Sequence, residues 1–359
     1  MAKWKGKIIY MKKIIISSFM GSGSSAVTDL LSEYSNVNCK NGDFEYVFLH
    51  CPDGVFDLED KLLKGNNIIR SDDAIRKFKK TMYDLYSKKY WWFGNYKQKV
   101  SESFIEIVDN FIDEIIQYEF HGYWYEHEKT NLIKSWLNIA ISLFNHITNK
   151  NIKFKRLYDD RMMISFIDSE NFYKASRKML NRFFCLLIND KEQAIVLDQL
   201  LLPHNLFRAN NYLDEDTKMI VVHRDPRDVF LLNKYVWNTK SVGIPFPLNA
   251  DQFCLFYKQM MNTVKDYSNN DNILDIKFED LVYNYDVTVN KIENFLNLKS
   301  CAHIYKFSKF NPNKSKMNTN ITFDNLLAQE EKLIIQENLF KYIYRFESNE
   351  IISNIEEIF

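Results

Sequence analysis

The chain has 359 residues, of which 46% are hydrophobic and 26% charged, a composition typical of a folded globular protein and not of a disordered one. Lys plus Arg (47) equals Asp plus Glu (47), so the chain has no overall basic field that would attract nucleic acid or anionic lipid. We therefore predict no nucleic-acid partner, and any anion-binding site must be local.

The cysteines and the N-terminus carry little information about function. The five cysteines are odd in number and contain no C-x-x-C pair, which favours reduced thiols over a disulfide framework or a zinc site. No apolar run reaches the length of a membrane span. Residues 11–13 (MKK) resemble a natural start, and the short apolar stretch after them is broken by Ser17 and Ser18, unlike a signal peptide. We predict a cytoplasmic location.

The first chemical feature is a glycine-serine turn. Residues 12–18 (KKIIISS) predict a buried parallel strand, and a helix is predicted over about residues 25–34. Glycines in the turn between them allow the backbone to approach a ligand closely, and the helix directs free N–H groups and its positive dipole end at the same place. The turn therefore predicts a phosphate-binding loop, with an ordinary strand–helix turn as the alternative. Its candidate ligands are Gly21, Ser22, Gly23, Ser24 and Ser25.

The loop differs from that of nucleoside-triphosphate enzymes. A Walker A loop ends in Gly-Lys-Ser/Thr, and its lysine reaches the β and γ phosphates. Here Ser24 follows Gly23, where the lysine would stand. A P-loop kinase or nucleotide hydrolase with a degenerate loop is therefore disfavoured, and we keep it as an alternative.

Downstream, the pattern alternates between strands and helices. A second extended piece is predicted at residues 37–39, and further strands at residues 194–197, 219–222 and 273–276 with helical segments between them. This alternation predicts an α/β fold with a central parallel sheet. The C-terminal segment, about residues 321–359, is predicted to be helical.

The region from about residue 60 to residue 190 has a different character. It is nearly free of glycine and dominated by helical periodicity. Two helices are clearest: one begins with a capping box of Ser103 and Glu106, and the other covers residues 172–187. We interpret the region as a large helical insertion into a single domain of residues 1–359.

A second anion site is predicted within residues 219–228 (MIVVHRDPRD). A buried strand places Arg224 at its carboxyl end, where ligands bind in open α/β sheets. Arginine offers a planar fork of donors that suits phosphate. The alternative is a structural ion pair with Asp225 or Asp228.

Four segments, in this order along the chain, resemble those of the P-loop sulfotransferase family. The glycine-serine loop is similar to the family's 5′-phosphosulfate loop, and residues 219–228 are similar to its 3′-phosphate motif. Residues 273–281 (ILDIKFEDL), with the helix after them, resemble its strand and Y/F-E-D-L motif. Residues 311–318 (NPNKSKMN) resemble the late loop that helps to enclose the nucleotide in many bacterial members.

The resemblance implies a three-layer fold like that of the P-loop NTPases, and 3′-phosphoadenosine 5′-phosphosulfate (PAPS) as the sulfuryl donor. It implies transfer to a hydroxyl or amine without a metal. Residues 21–25 would hold the 5′-phosphosulfate and Arg224 the 3′-phosphate, while Lys314 and Ser315 would contact the nucleotide from the late loop.

Two positions depart from the family pattern. Gly21 stands where the family usually has Lys or Arg, and Leu232 stands where it has a serine, with Asn233 as the nearest polar substitute. A non-catalytic nucleotide-binding protein is therefore a further alternative. The candidates for a replacement cation are Lys12, Lys13 and Arg227.

Sulfuryl transfer to a hydroxyl needs a general base. The resemblance implies either a glutamate soon after the second strand, a region in which Glu45 lies, or a histidine after a central strand, a position that Asp198 occupies here. His50 and His204 are further candidates. We prefer Glu45, because an acid at the carboxyl edge of a strand can face the donor.

The acceptor is predicted only by association. A Lys/Asn/Ile-rich composition suggests an AT-rich bacterial genome and, with the resemblance, a surface glycan as acceptor. Aromatic residues of the helical region could stack on sugars or form core. They are Trp91, Trp92, Tyr96, Tyr123, Trp124 and Tyr125.

Overall fold

The computed structural model describes residues 11–19, 21–39, 44–90, 93–124, 132–148, 160–188, 193–238 and 246–346. Its strands and α-helices follow one another in this order: β1 (Lys12–Ser18), α1 (Ser24–Ser32), β2 (Val37–Cys39), α2 (Val55–Leu63), α3 (Ile68–Ser87), α4 (Tyr96–Lys99), α5 (Phe104–Ile115), β3 (Tyr118–Gly122), α6 (Leu132–Ile147), β4 (Asp160–Ile164), α7 (Ser169–Cys185), β5 (Ala194–Asp198), α8 (Ala209–Tyr212), β6 (Lys218–His223), α9 (Pro226–Leu231), α10 (Ala250–Asn262), β7 (Ile273–Lys277), α11 (Phe278–Tyr283), α12 (Tyr285–Leu296), α13 (Pro312–Ser315) and α14 (Leu326–Asn338). A π-helix, Leu232–Trp237, continues α9.

The chain divides into two compact units. The sheet unit comprises residues 1–50, 89–93 and 184–359, and the helical unit comprises residues 51–88 and 94–183. The predicted organisation, one domain with an insertion over about residues 60–190, stays a prediction. None of the described helices is long and apolar enough to cross a membrane.

The sheet unit contains a five-stranded sheet in the order β2-β5-β1-β6-β7, and every neighbouring pair is parallel. The central strand β1 places Ile16 opposite both Asp198 of β5 and Ile220 of β6. All five carboxyl ends therefore meet at one edge. The predicted α/β class with a central parallel sheet is confirmed.

Both faces of the sheet are covered. Ile14, Ile15 and Ile16 alternate between the two faces of β1, and each is fully buried. On one face, Ile14 and Ile16 pack in a cluster with residues of α1, α11 and α12, including Leu30 and Leu281. A β-branched run suits this position because a parallel strand is buried on both sides.

A buried glutamate fixes the segment that leads to the late loop. Glu33, just beyond α1, accepts hydrogen bonds from the backbone N–H groups of Lys309 (2.8 Å) and Phe310 (2.9 Å). It also pairs with His303 (2.7 Å), whose ring stacks on Tyr34 at 4.4 Å. The end of α1 and the chain before residue 311 are thereby held together.

The helical unit contains α2 to α6, most of α7 and an antiparallel pair, β3 and β4. Aromatic side chains form much of its core: Phe111 contacts both Phe78 (5.7 Å between ring centroids) and Phe172 (6.1 Å). The fully buried Asp72 accepts hydrogen bonds from the indole of Trp124 (2.8 Å) and the backbone N–H of Met163 (2.9 Å).

Two expectations for this region were wrong in detail. Strands β3 and β4 were not predicted. The residues of Tyr118–Gly122 are mostly exposed, so they show no alternating hydrophobic pattern, and the strand forms because it pairs with the distant β4. Helix α5 does begin after Ser103 as predicted, but the Ser103 side chain makes no capping hydrogen bond.

Candidate active site

The predicted phosphate loop lies between β1 and α1 and is shaped by two glycines. Gly21 and Gly23 have φ angles of 78° and 89°, in the left-handed region that favours glycine. Backbone hydrogen bonds from Ser22 N to Phe19 O (3.0 Å) and from Ala26 N to Gly23 O (3.1 Å) close the turn. Among the described residues no side chain caps α1, so its first N–H groups point into the loop.

Close packing against Phe278 also favours glycine at position 23. A Cβ atom there would lie 3.0 Å from Cδ2 of Phe278, the first residue of α11. The loop can therefore approach this ring only with glycine at position 23. Of the three loop serines, Ser22 and Ser24 are buried, whereas Ser25 is exposed.

Arg224 reaches the loop from the carboxyl end of β6. Its Nη1 donates to Gly21 O (3.1 Å), its Nη2 donates to Asn318 O, and its guanidinium lies over the ring of Phe278 at 4.9 Å. Its Nε is buried and has no hydrogen-bond partner among the described residues. An unpaired donor on a half-buried cation next to free helix N–H groups is what an anion site requires.

Three buried carboxyl groups surround Arg224. Burial lowers its pKa from the ordinary value, and the charges of Asp228, Glu279 and Asp225 oppose that lowering. Burial raises the pKa of Glu279 to about 8, and burial together with Asp225 raises the pKa of Asp228 to about 6. The guanidinium of Arg224 is thus the positive charge next to these three acids at the sheet edge.

Each of these acids also holds backbone. Glu279 accepts from Asp225 N (2.8 Å), and Asp228 accepts from Asn320 N and Ile321 N (2.9 Å each). Asp225 caps α9 by accepting from Arg227 N (2.8 Å). The predicted alternative of a structural ion pair is realised by Arg227 with Asp225, not by Arg224.

The late loop comes to the same edge. Residues Pro312–Ser315 form the short helix α13, with Lys314 exposed and Ser315 half-buried. Three residues after Ser315, Asn318 meets Arg224. The structure thus brings the phosphate loop, Arg224 and the end of the late loop together.

The candidate bases lie at the ends of the other two strands, β2 and β5. Tyr46 N donates to Asp198 O (2.9 Å), which brings the neighbouring Glu45 beside Asp198. Burial, and next the charge of Glu45, raise the pKa of Asp198 to about 8. Glu45 is half-buried and Asp198 is 2% exposed.

Gln199 ties this side to the loop. Its Nε2 donates to the hydroxyls of Ser18 (2.7 Å) and Ser24 (3.2 Å), and its backbone carbonyl accepts from His50 Nε2 (2.8 Å). Burial lowers the pKa of His50. His204 pairs through Nδ1 with the Thr263 hydroxyl (2.7 Å). Both histidines are thus engaged, which leaves the carboxyl groups as the better base candidates.

The candidate replacement cations lie elsewhere. Lys12 donates to Leu296 O (2.8 Å), and Lys13 pairs with Asp214, both at the amino end of β1 and so at the opposite end from the loop. Arg227 is held by Asp225 and by Tyr344 O (3.0 Å). None of these three side chains therefore supplies the cation that is missing at position 21.

Three residues lie in motifs that the sequence revealed, but their contacts were not predicted. Phe278 and Glu279 of residues 273–281 and Asn318 of residues 311–318 act through close packing, a buried acceptor and a backbone carbonyl, and such contacts leave no local pattern. Among the aromatic candidates, Tyr96 and Trp124 are core residues. Trp91, Trp92 and Tyr125 lie outside the described residues. Within the described part of the chain no group of three or more His, Cys, Asp or Glu could hold a metal ion.

A family model described as "Sulfotransferase domain" matches residues 135–359, more than half of the chain. The match includes Asp198, Arg224 and the late loop, whereas the phosphate loop precedes it. No curated protein matches the chain significantly.

Solved structures give weaker likenesses. The sulfotransferase domain from the curacin biosynthetic pathway is 12% identical with a TM-score of 0.39, and the match covers 93% of this chain and 99% of that one. The sulfotransferase domain from the Synechococcus PCC 7002 olefin synthase is 12% identical with a TM-score of 0.39, covering 96% and 100%. STF9 from Mycobacterium avium is 11% identical with a TM-score of 0.37, covering 94% and 78%.

The packing role of Gly23 can be separated from its backbone role. Gly23→Ala and Gly65→Ala both place a side chain at positive φ, which costs about 1 kcal/mol, but a Cβ at Gly65 meets nothing within 4 Å. We expect Gly23→Ala to lower the free energy of unfolding in urea by at least about 1 kcal/mol more than Gly65→Ala. Equal losses would show that the Phe278 contact is unimportant.

The buried acids predict a pH dependence of stability. The folded protein keeps a proton on Glu279 up to about pH 8, whereas the unfolded chain loses it near pH 4, so Glu279 makes folding less favourable as pH rises between those values. Gln mimics the protonated form. Relative to wild type, Glu279→Gln should therefore gain more than about 1 kcal/mol of unfolding free energy between pH 5 and pH 8.

The control is Glu106→Gln, which changes an exposed glutamate of α5. Its difference from wild type should stay flat over the same pH range. A flat difference for Glu279→Gln as well would mean that Glu279 is ionised in the folded protein.

Proposed function

The chain belongs to the sulfotransferase family, and we propose that it transfers a sulfuryl group from PAPS to a hydroxyl group, with Glu45 as the general base. Phosphates of the donor would lie along the edge formed by the phosphate loop and Arg224. The observation that carries the proposal is the buried, unpartnered Nε of Arg224 beside the uncapped N-terminus of α1.

Residues at this edge divide between two tasks. The N–H groups of residues 21–25 would hold the 5′-phosphosulfate, and Arg224 would hold the 3′-phosphate through Nε. Lys314 and Ser315 would close on the nucleotide from the late loop. No other charged side chain needs to enter the loop for the donor to bind.

The acceptor reacts on the β5 and β2 side. As its oxygen bonds to sulfur, its proton passes to the Glu45 carboxylate, and the sulfur–oxygen bond to the 5′-phosphate breaks with the electron pair leaving on that phosphate. Glu45 suits this role because it is half-buried and follows β2 at the carboxyl edge. Burial raises the pKa of Asp198, the other candidate, to about 8, so that it is poorly suited to accept a proton at neutral pH.

A carbohydrate remains our proposed acceptor class, and a cytoplasmic bacterial enzyme acting on precursors of a surface glycan our proposed setting. In its support, Tyr90 and Phe93 belong to the sheet unit, and the exposed ring of Tyr90 stacks on Phe93 at 4.8 Å. Exposed stacked rings suit the apolar face of a sugar. The five cysteines are free thiols, in accord with a reducing compartment.

Thermal unfolding with nucleotides tests the donor. Adenosine 3′,5′-bisphosphate (PAP), the desulfated product, should stabilise the protein by about 2.7 kcal/mol at a hundredfold excess over Kd, and ADP should stabilise it far less. Arg224→Ala should lose this effect because the 3′-phosphate loses its partner. Arg70→Ala, which removes an exposed arginine of α3, should keep it.

Stabilisation by ATP with magnesium in place of the bisphosphate would instead support the kinase or hydrolase alternative. Binding of the bisphosphate without donor consumption across a broad acceptor panel would support the non-catalytic one.

The base is tested by donor consumption with a panel of sugar and non-sugar hydroxyl acceptors. Glu45→Gln should lower kcat by about 100-fold or more while leaving bisphosphate binding within twofold, because only proton acceptance is removed. Glu170→Gln, an exposed change in α7, should match wild type. Unchanged turnover in Glu45→Gln would overturn the assignment of the base.

A further inference from the structure

Asp198 is a carboxyl group with an open hydrogen-bonding position. It ends β5, opposite Ile16 of the central strand, and it is 2% exposed. Its Oδ1 is buried and has no hydrogen-bond partner among the described residues. An ionised carboxylate left in this state would be costly, so either a proton or a ligand must satisfy Oδ1.

The carboxyl group sits under the phosphate loop. The side chains of Thr28 and Ser24, both in α1, lower its pKa and so oppose part of the effect of burial. The Ser24 hydroxyl accepts from Gln199 Nε2 (3.2 Å), so its own proton is available to Asp198. Asp198 therefore lies beside the first turns of α1, to which the neighbouring Gln199 is hydrogen-bonded.

Within the described part of the chain, the titratable groups that raise the pKa of Asp198 are all acids. Asp29 of α1 and Glu45 raise its pKa after burial, and it in turn raises the pKa of Cys39, at the end of β2, and of Tyr46. Burial and these neighbours bring the pKa of Asp198 to about 8. At neutral pH the group is a carboxylic acid, which donates a hydrogen bond instead of accepting a proton.

We propose that the carboxylic acid of Asp198 donates a hydrogen bond to the sulfuryl oxygens of the donor, beside the loop in which Gly21 supplies no cation. The proposal rests on the proposed function, since it assumes that PAPS is the donor. A fixed donor in a water-poor site stabilises charge on the transferring group without reorganisation. Asp198 keeps its proton throughout, so no step of the transfer changes its ionisation.

The same assignment explains why two carboxyl groups lie side by side. A protonated Asp198 cannot act as the base, which leaves Glu45 as the candidate that accepts the proton of the acceptor. Neighbouring acids whose surroundings separate their pKa values take different roles. Asp198 would face the donor, and Glu45 would face the acceptor.

Binding of PAPS and PAP to the full chain, by titration calorimetry at pH 7, 8 and 9, tests the inference without an acceptor. Only PAPS carries the sulfuryl oxygens. In wild type the affinity ratio of PAPS to PAP should fall about tenfold between pH 7 and pH 9, as Asp198 loses its proton. In Asp198→Asn the ratio should stay within twofold over this range, because an amide N–H donates at every pH.

Asp198→Ala should give a low ratio at every pH, and Asp266→Asn, an exposed change, should follow wild type. If wild type binds neither nucleotide, the proposed function itself fails. If PAPS and PAP both bind and their affinity ratio does not depend on pH, the proposed function stands and the inference is overturned. The same conclusion follows if Asp198→Asn lowers the ratio at pH 7. Should the variants not fold by circular dichroism, the wild-type pH series alone decides.

Discussion

The placement of one guanidinium group constrains most of the candidate site. Arg224 is half-buried at the end of β6, where Phe278 supports its face and the carbonyl groups of Gly21 and Asn318 accept from its two terminal nitrogens. These partners come from three segments that are far apart in the sequence. Movement of the loop or of the late loop would remove one of these hydrogen bonds from the cation.

The acids next to Arg224 also hold the surrounding backbone in place. Asp228 accepts hydrogen bonds from the backbone of residues 320–321, and Glu279 accepts one from the backbone of Asp225. The acids whose charge Arg224 offsets therefore also position the chain segments next to it. An anionic ligand adds negative charge to this cluster. Because burial already raises the pKa values of Asp228 and Glu279, protons can balance that charge while the positions of the segments are kept.

Charged groups are thus distributed unevenly along the carboxyl edge of the sheet. On the β6 and β7 side, acids face a cation, whereas on the β5 and β2 side Asp198 and Glu45 face each other and further acids. Phosphates favour the first environment and a transferable proton favours the second. A reaction that joins an anionic donor to a hydroxyl acceptor needs both within a short distance, and the parallel sheet provides this by bringing all strand ends to one edge.

Local patterns in the sequence predicted the parts of this site that depend on neighbours along the chain. The strand before Gly21, the uncapped α1 and the strand before Arg224 all follow from short apolar runs and turn residues. The contacts that complete the site could not be predicted, because Phe278 meets Gly23 and Asn318 meets Arg224 only after folding. Strands β3 and β4 escaped prediction for the same reason, since their pairing and the support of Asp72 are long-range.

The two departures from the family pattern are structurally linked. At a φ of 78°, position 21 disfavours any side chain, so a lysine or arginine would strain this loop. The π-helix adds a residue to the turn after α9; Leu232 is buried in the core, and the Asn233 amide lies 3.5 Å from where a Cβ of residue 21 would be. A polar group therefore still faces the loop, one residue later than the family serine. The loop has exchanged a charged side chain for a neutral amide and the free N–H groups of α1, a setting in which a neutral acid such as Asp198 can contribute where a carboxylate would repel the donor.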